Sequence, residues 1–211
     1  MSTIKIPVQY AAIGKAAGRD SIRPVIQCVH VTATHIEVTD SFTLVRIEHG
    51  AEVDADFQPF LIPARFLKMA LSGARTVGKS KGWGKSAPMQ TFALHYDGEG
   101  SIAVSADIGA LGQEQTIITS VPAVLGAFPN LDAFVSGAES DLERAPEERS
   151  EIGLNVGLVN GVTACLGALG VKYIRVEWAN PLKPMVLTGK TAFGHNVTAV
   201  VMPCRLGAVQ S

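Results

Sequence analysis

Charge is scarce in this 211-residue chain: Asp, Glu, Lys and Arg together make up 18% of it, and the formal net charge is −1. So low a charge density excludes a disordered polyelectrolyte. A net charge near zero excludes a polycation that binds nucleic acid with its whole surface, so any such contact has to come from a local patch. Long apolar runs are missing as well. No stretch reaches the ~20 residues that span a bilayer, and the opening MSTIKIPVQY lacks the apolar segment of a secretory signal. Cysteine is rare: Cys28, Cys165 and Cys204 are far apart and odd in number. That excludes a disulfide framework and points to a reduced, cytoplasmic protein in which each thiol fills core space. Cys28 and His30 share one strand face, but no second pair answers them, so neither a metal nor a cofactor is expected. Catalytic grammar is missing too. There is no Gly-x-Ser-x-Gly elbow and no His-Glu-x-x-His, and Asp20, Asp40, Glu147 and Glu148 lack an apolar setting that would tune them. No catalytic residue is assigned, and the protein is read as a non-enzyme.

What is present is apolar sequence, 47% of the chain, cut into short pieces by turn residues. Residues 8–18, VQYAAIGKAAG, read as a short helix stopped by Gly18. RPVIQCVHVT, THIEVTD and FTLVRIEHG read as strands, rich in Val, Ile and Thr. ADFQPFLIP is a strand ending at Pro63, and residues 64–71, ARFLKMAL, form a helix between Pro63 and Gly73. TFALHY, SIAVSAD and EQTIITS are three more strands. Residues 1–120 are therefore a helix plus three strands, twice over, each with a strand leading in. Residues 121–150 are rich in breakers and acids, and the part from Ser136 reads as an exposed loop. Residues 151–211 repeat the order once: strand EIGLN, helix VGLVNGVTACLGALG, then strands YIRVEWA, PMVLTG and VTAVVMPCRL. Ile174, Val176 and Trp178 alternate with Tyr173, Arg175 and Glu177, the pattern of a half-buried strand. The expected class is α+β, with repeated helix-plus-antiparallel-strand units and helices on one face.

One segment carries a formal motif. Gly73-x-x-x-x-Gly78-Lys79-Ser80 matches the phosphate-cradling P-loop. A P-loop needs a buried parallel strand before it and a helix after it. Here FLKMALS, which reads as helix, precedes it, and KGWGKSAPM, which cannot start a helix, follows. A P-loop NTPase is kept only as a third reading. Residues 65–86 contain Arg65, Lys68, Arg75, Lys79, Lys81 and Lys85 and no Asp or Glu. Such a patch is either a solvated face or a sequence-blind, salt-sensitive contact with phosphates. Trp83 either stacks on a base or folds back on the protein.

Three stretches resemble the bacterial sliding clamp, the beta subunit of DNA polymerase III. They are DSIRPVIQCVHV with VTDSFTLVRIE (residues 20–48), FLIPARFLKMAL (60–71), and the C-terminal run IGLNVGLVNGVTACLGAL, NPLKPMVLTG and AVVMPCRL. Phe128-Pro129-Asn130 is similar to the Phe-Pro-Asp between two domains of that family. The similarity covers the family's middle domain and part of its last. It implies a DNA-clamp-like fold with sheets outside: residues 1–120 as one clamp-like domain of two units, 121–150 as linker and acidic loop, and 151–211 as a shortened C-terminal domain. It implies a homo-oligomeric ring around double-stranded DNA, read without regard to sequence, with Lys15, Arg19, Arg65 and Lys68 on inner helices and Arg75, Lys79, Lys81 and Lys85 at the edge. It also implies a hydrophobic cleft that takes peptide tails of polymerases and clamp loaders. Carried over position by position, that cleft is Ile26, Thr39, Ser41, Phe42, Thr43, Leu44, Pro129, Met185, Val200, Met202, Pro203, Cys204 and Arg205. The chain departs from the family at Ser41-Phe42-Thr43, where Gly, an aromatic or His, and Arg are usual, and it lacks the family's first domain. A clamp-like processivity factor is the leading expectation. The alternative is an adaptor that keeps the cleft without encircling DNA.

Overall fold

The structure, a computed structural model, describes residues 1–69, 91–107, 115–143 and 152–204. Eleven strands among these fall into two antiparallel sheets. The first unit is β1 (Ser2–Pro7), a 3-10 helix (Val8–Ala16), then β2 (Cys28–Val31), β3 (His35–Thr39) and β4 (Thr43–Glu48). The second is β5 (Phe60–Pro63), a helix α1 described over residues 64–69, then β6 (Thr91–Tyr96), β7 (Ser101–Asp107) and β8 (Gln115–Pro122). Helix α2 (Asp132–Glu143) follows, and the third unit is α3 (Val156–Ala168) with β9 (Ile174–Trp178), β10 (Met185–Lys190) and β11 (Asn196–Val201).

The lead-in strands do not stay with their own unit. β1 pairs with β6 of the second unit, Ile4 opposite Leu94. β5 pairs with β2 of the first, Ile62 opposite Val29. This swap welds the two units into one body. The four-stranded sheet runs β1-β6-β7-β8 and the seven-stranded sheet β5-β2-β3-β4-β11-β10-β9. The larger sheet closes across the chain because β4 pairs with β11, Leu44 opposite Val200 and Ile47 opposite Val197. It thus crosses the expected linker, and division into residues 1–120 and 151–211 is kept as a proposal.

Alternation along the strands explains the core. Ile4 and Ile6 of β1, Val29 and Val31 of β2, Ile36 and Val38 of β3 and Val45 and Ile47 of β4 all point inward and are buried. The 3-10 helix adds Tyr10 and Ile13, and α3 adds Val162, Cys165 and Leu166. At about 25 cal/mol per Å² of apolar surface, each of these larger aliphatic side chains contributes ~1.5–3 kcal/mol when fully buried. Tyr10 keeps its hydroxyl satisfied against Thr191 Oγ1 and the Nδ1 of His195, and burial pushes its pKa up.

Five local expectations differ from the structure. The first helix is 3-10 over all nine residues. The strand expected from Arg23 begins only at Cys28, because Pro24 opens a four-residue 3-10 turn first. The loop expected from Ser136 is helical as far as Glu143, because Val135 and Ala138 give that acidic segment a buried side. The described part of EIGLN is not a strand: Ile152–Asn155 runs without a ladder partner among the described residues. Correspondingly, Ile174, Val176 and Trp178 do not form a buried face. They are 39%, 41% and 40% exposed on β9, the outermost strand of its sheet. Among the described residues, no helix is long and apolar enough to cross a membrane.

Candidate nucleic-acid and peptide interfaces

Lys15 closes the 3-10 helix and Arg19 follows it, while Arg65 and Lys68 stand on α1. Two glycines bring these elements together. A Cβ on Gly14 would lie 3.1 Å from Ala64 Cβ, so glycine allows the two helices to approach. The Gly18 amide donates to Ile26 O (2.8 Å) and Thr39 O (3.1 Å), which turns the chain away from the helix. A Cβ there would meet the Ile26 side chain at 2.9 Å. The result is a concave basin of about 770 Å³ that holds all four cations. Its floor is small, with Ala11, Ala12, Gly14, Ala17 and Ala168, and among the described residues no carboxylate lines it. Cys28 sits beneath. Burial pushes its thiol up to about 11, against the opposing charge of Arg65, so it stays neutral and cancels none of the positive charge. Four cations around a neutral floor attract phosphate groups whatever the base sequence. Arg75, Lys79, Lys81 and Lys85, and the Gly73–Ser80 motif, lie outside the described residues. The helical residues 64–69 before that motif are themselves preceded by an antiparallel strand, not by the parallel strand of a P-loop.

The second site lies where β4 and β11 meet. Its edge is the turn between β3 and β4, fixed by side chains. The Asp40 carboxylate accepts from the amides of Phe42 (2.9 Å) and Thr43 (2.6 Å) and from the Thr43 hydroxyl (2.9 Å). Thr39 Oγ1 donates to Thr43 O at 2.7 Å and accepts from the Ser41 amide at 3.0 Å. These bonds hold Ser41 at φ +80°, a left-handed conformation that a glycine adopts without strain. Met202 N donates to Phe42 O at 2.9 Å, which brings the segment after β11 to the turn.

The opposite wall is Pro129 to Phe134. Asn130 Oδ1 accepts from the amides of Asp132 (3.1 Å) and Ala133 (3.4 Å) and so caps α2. Between the walls is a groove of about 360 Å³ lined by Thr39, Ser41, Phe42, Thr43, Leu44, Pro129 and Met202 together with Arg23, Asn130, Leu131 and Phe134. Leu44 and Val200, each 1% exposed, pack with Leu131 and Val135 in a separate apolar cluster beneath it.

A charged network ties this wall to the sheet. Glu37 is buried and takes Arg46 at 2.6 Å, His30 Nδ1 at 2.9 Å and His35 Nε2 at 3.5 Å. Burial alone raises a carboxyl pKa, but the bonds from His30, His35 and Arg46 outweigh it and hold Glu37 well below the usual range. Arg46 also reaches Asp132 of α2 at 2.8 Å. The His30 ring lies 4.8 Å from that of Phe128.

Of the expected cleft residues, seven line the groove. Val200 lies beneath it. Ile26 is buried at the other 3-10 turn and Met185 belongs to the main core. Pro203 and Cys204 follow Met202 without lining the groove, Cys204 being exposed, and Arg205 lies outside the described residues. Arg23, Asn130, Leu131 and Phe134 were missed by the sequence reading. Their signal was there: Asn130 as a cap, followed by apolar residues at 131, 134, 135 and 138, a helical spacing.

No protein-family model matches the sequence, and no curated protein does. Solved structures do. The DNA polymerase III beta subunit of Thermotoga maritima superposes with a TM-score of 0.62 at 13% identity, over 98% of this chain and 66% of that one. The Pseudomonas aeruginosa sliding clamp gives 0.62 at 13%, over 97% and 67%. The Helicobacter pylori beta clamp bound to a DNA ligase peptide gives 0.66 at 11%, over 97% and 66%. The chain spans about two thirds of the length of the clamps it matches. With helices packed on two antiparallel sheets, and with the likeness running along nearly its whole length, it has the α+β fold of the bacterial DNA polymerase III beta sliding clamp.

Proposed function

We propose that the protein is a non-enzymatic, clamp-like replication factor. It holds duplex DNA through the basin of Lys15, Arg19, Arg65 and Lys68 and receives peptide tails of replication proteins in the groove at Leu44 and Met202. One observation carries this reading: four cations gather at one concavity, and a separate apolar groove forms where the first and third units join. The first suits a partner that is charged and uniform. The second suits a short segment with apolar anchors, with Met202 able to adapt its shape. A similar fold holds a DNA ligase peptide in the Helicobacter pylori clamp. On this reading the protein is soluble and assembles into a ring.

Retention on DNA tests it. The protein should stay on closed circular duplex and leave when the circle is cut. Equal retention on both would remove encirclement. A fluorescent peptide ending in an apolar polymerase-type tail should bind, and Met202→Ala or Phe134→Ala should each weaken it about tenfold. Unchanged binding would remove the groove assignment.

A second reading, an adaptor that binds tails without encircling DNA, draws on the groove, which forms within a single chain. Tail binding with no preference for circular DNA would favour it.

A further inference from the structure

The segment after β8 borders a further cavity, apart from the basin and the groove. It is about 240 Å³ and lies between His30 of β2, Phe60 of β5, Tyr96 of β6 and residues 123–126 with Phe128. Its walls are fixed. Val124 N donates to Leu61 O (3.1 Å) and Ala123 N to Gly100 O (2.8 Å), which holds the segment against β5 and the turn between β6 and β7. At Gly126, φ +149°, a Cβ would meet Val25 Cγ1 at 2.9 Å, so glycine lets the loop lie this close. The walls are also aromatic. The ring centroids of Phe60 and Tyr96 are 5.3 Å apart, and those of His30 and Phe128 are 4.8 Å apart.

Two polar groups on these walls are left over. Tyr96 is only 9% exposed, yet its hydroxyl has no hydrogen-bond partner among the described residues. Buried polar groups are normally paired. His30 Nδ1 bonds the Glu37 carboxylate at 2.9 Å. That carboxylate is held ionised and can only accept, so Nδ1 donates, and the neutral ring keeps Nε2 as an acceptor. Nε2 likewise has no partner among the described residues. The cavity therefore offers one hydroxyl and one acceptor nitrogen within an aromatic slot. A phenol answers both, since its O–H donates and its oxygen accepts. An indole only donates, and a phenyl ring does neither. The volume is below the ~300–1,000 Å³ of sites for whole small molecules, which suits a single ring. No Lys or Arg among the described residues lines it, so the phosphates of a nucleotide would find no partner.

The position of the cavity says what carries the ring. Phe128 lines it, and the next two residues, Pro129 and Asn130, line the groove. The two cavities flank one short ridge, and a bound peptide that crosses the ridge reaches both. We propose that this cavity receives a tyrosine side chain of the same tail that fills the groove. The tail is then held at two points, by apolar anchors over Leu44 and by a phenol between the ring pairs, bonded to Tyr96 and His30. Aromatic walls add edge and offset contacts that an aliphatic side chain does not make. The assignment rests on the peptide reading of the groove, and its tests separate the two.

Fluorescent tail peptides with a tyrosine moved stepwise away from the apolar anchors should reveal one spacing at which tyrosine binds about tenfold tighter than alanine. At that spacing, phenylalanine in place of the tyrosine should lose about fivefold. Tyr96→Phe in the protein should weaken the tyrosine tail by about the same factor and leave the phenylalanine tail unchanged. Should that variant unfold, the wild-type chain still decides. In NMR titrations p-cresol, the tyrosine side chain alone, should shift the signals of His30 and Tyr96, and toluene should bind about fivefold more weakly. Equal binding of tyrosine and phenylalanine tails at every spacing, or p-cresol no better than toluene, would overturn the assignment. A protein that binds tails through Met202 and Phe134 but ignores the tyrosine loses this inference alone. A protein that binds no tail loses the groove reading, and with it the tail as the source of the ring.

Discussion

The basin and the groove are built by opposite means. The basin is charge on a small, featureless floor. Its cations reach into solvent, and the thiol under them is neutral. The groove is shape. Its turn is pinned by Asp40 and Thr39, and its far wall is bound to the sheet through Arg46 and Glu37. A site made of charge works at a distance, tolerates sliding and fails in salt. A site made of fixed shape works only in contact and discriminates among side chains. A molecule of the proposed kind, moving along one partner while gripping another, has a use for both.

The sharpest way to break the contrast is to put charge into the groove's foundation. Leu44→Asp buries an unpaired carboxylate between Val200 and Leu131 and should cost about 4–5 kcal/mol, seen as a large drop in the denaturant midpoint. A small drop would mean that the groove has no packed base. Next is the basin. Arg65→Ala with Lys68→Ala should lower duplex affinity about 30-fold at 0.15 M salt and flatten the slope of log K against log salt by ~1.8. A lower affinity with the same slope would deny them a role as phosphate contacts.

Glu37→Gln probes the tie between wall and sheet, and about 2 kcal/mol of stability should go. Because the folded carboxyl titrates below its unfolded value of ~4.3, its contribution is complete above that pH and fades as pH falls further. The variant should therefore lose the wild-type acid sensitivity below pH ~4. His49 gives a smaller effect. Burial depresses its pKa, so the unfolded chain takes up the proton first, and stability should decline as pH drops below ~6.5. Thermal midpoints at pH 7.5 and 5.5 should draw closer in His49→Gln. Smallest is Ser41→Gly, expected to raise stability by about 0.5 kcal/mol, since relief at φ +80° slightly exceeds the entropy glycine loses. A loss of stability would mean that Ser41 itself contributes to the turn.

Local structure was legible where punctuation is strong. Pro63 and Gly18 mark helix ends, and the Val- and Ile-rich runs near them are strands in the structure. Lys15, Arg65 and Lys68 were legible as residues on helices, whereas Arg19 was expected on the first helix and follows it. Their convergence was not, because it depends on Gly14 meeting Ala64, fifty positions away. The groove shows the same division. Leu44 and Met202 were named through the resemblance, whereas Leu131 and Phe134 were missed because the acidic run Glu139, Asp141 and Glu143 masked a helical spacing. EIGLN reads as a strand because its letters are those of a strand. Whether an extended segment becomes one depends on a neighbouring edge, and no local pattern carries that information.

The pairing of β4 with β11 has a consequence for the birth of the molecule. Residues 43–47 wait for residues 197–201. A ribosome must add about 150 residues in between, roughly ten to thirty seconds of synthesis. Over that time β4 emerges with a bare edge, and Leu44 has nothing to cover it. The nascent chain is thus exposed to wrong partners at β4 for that time, and only the arrival of β11 removes the danger.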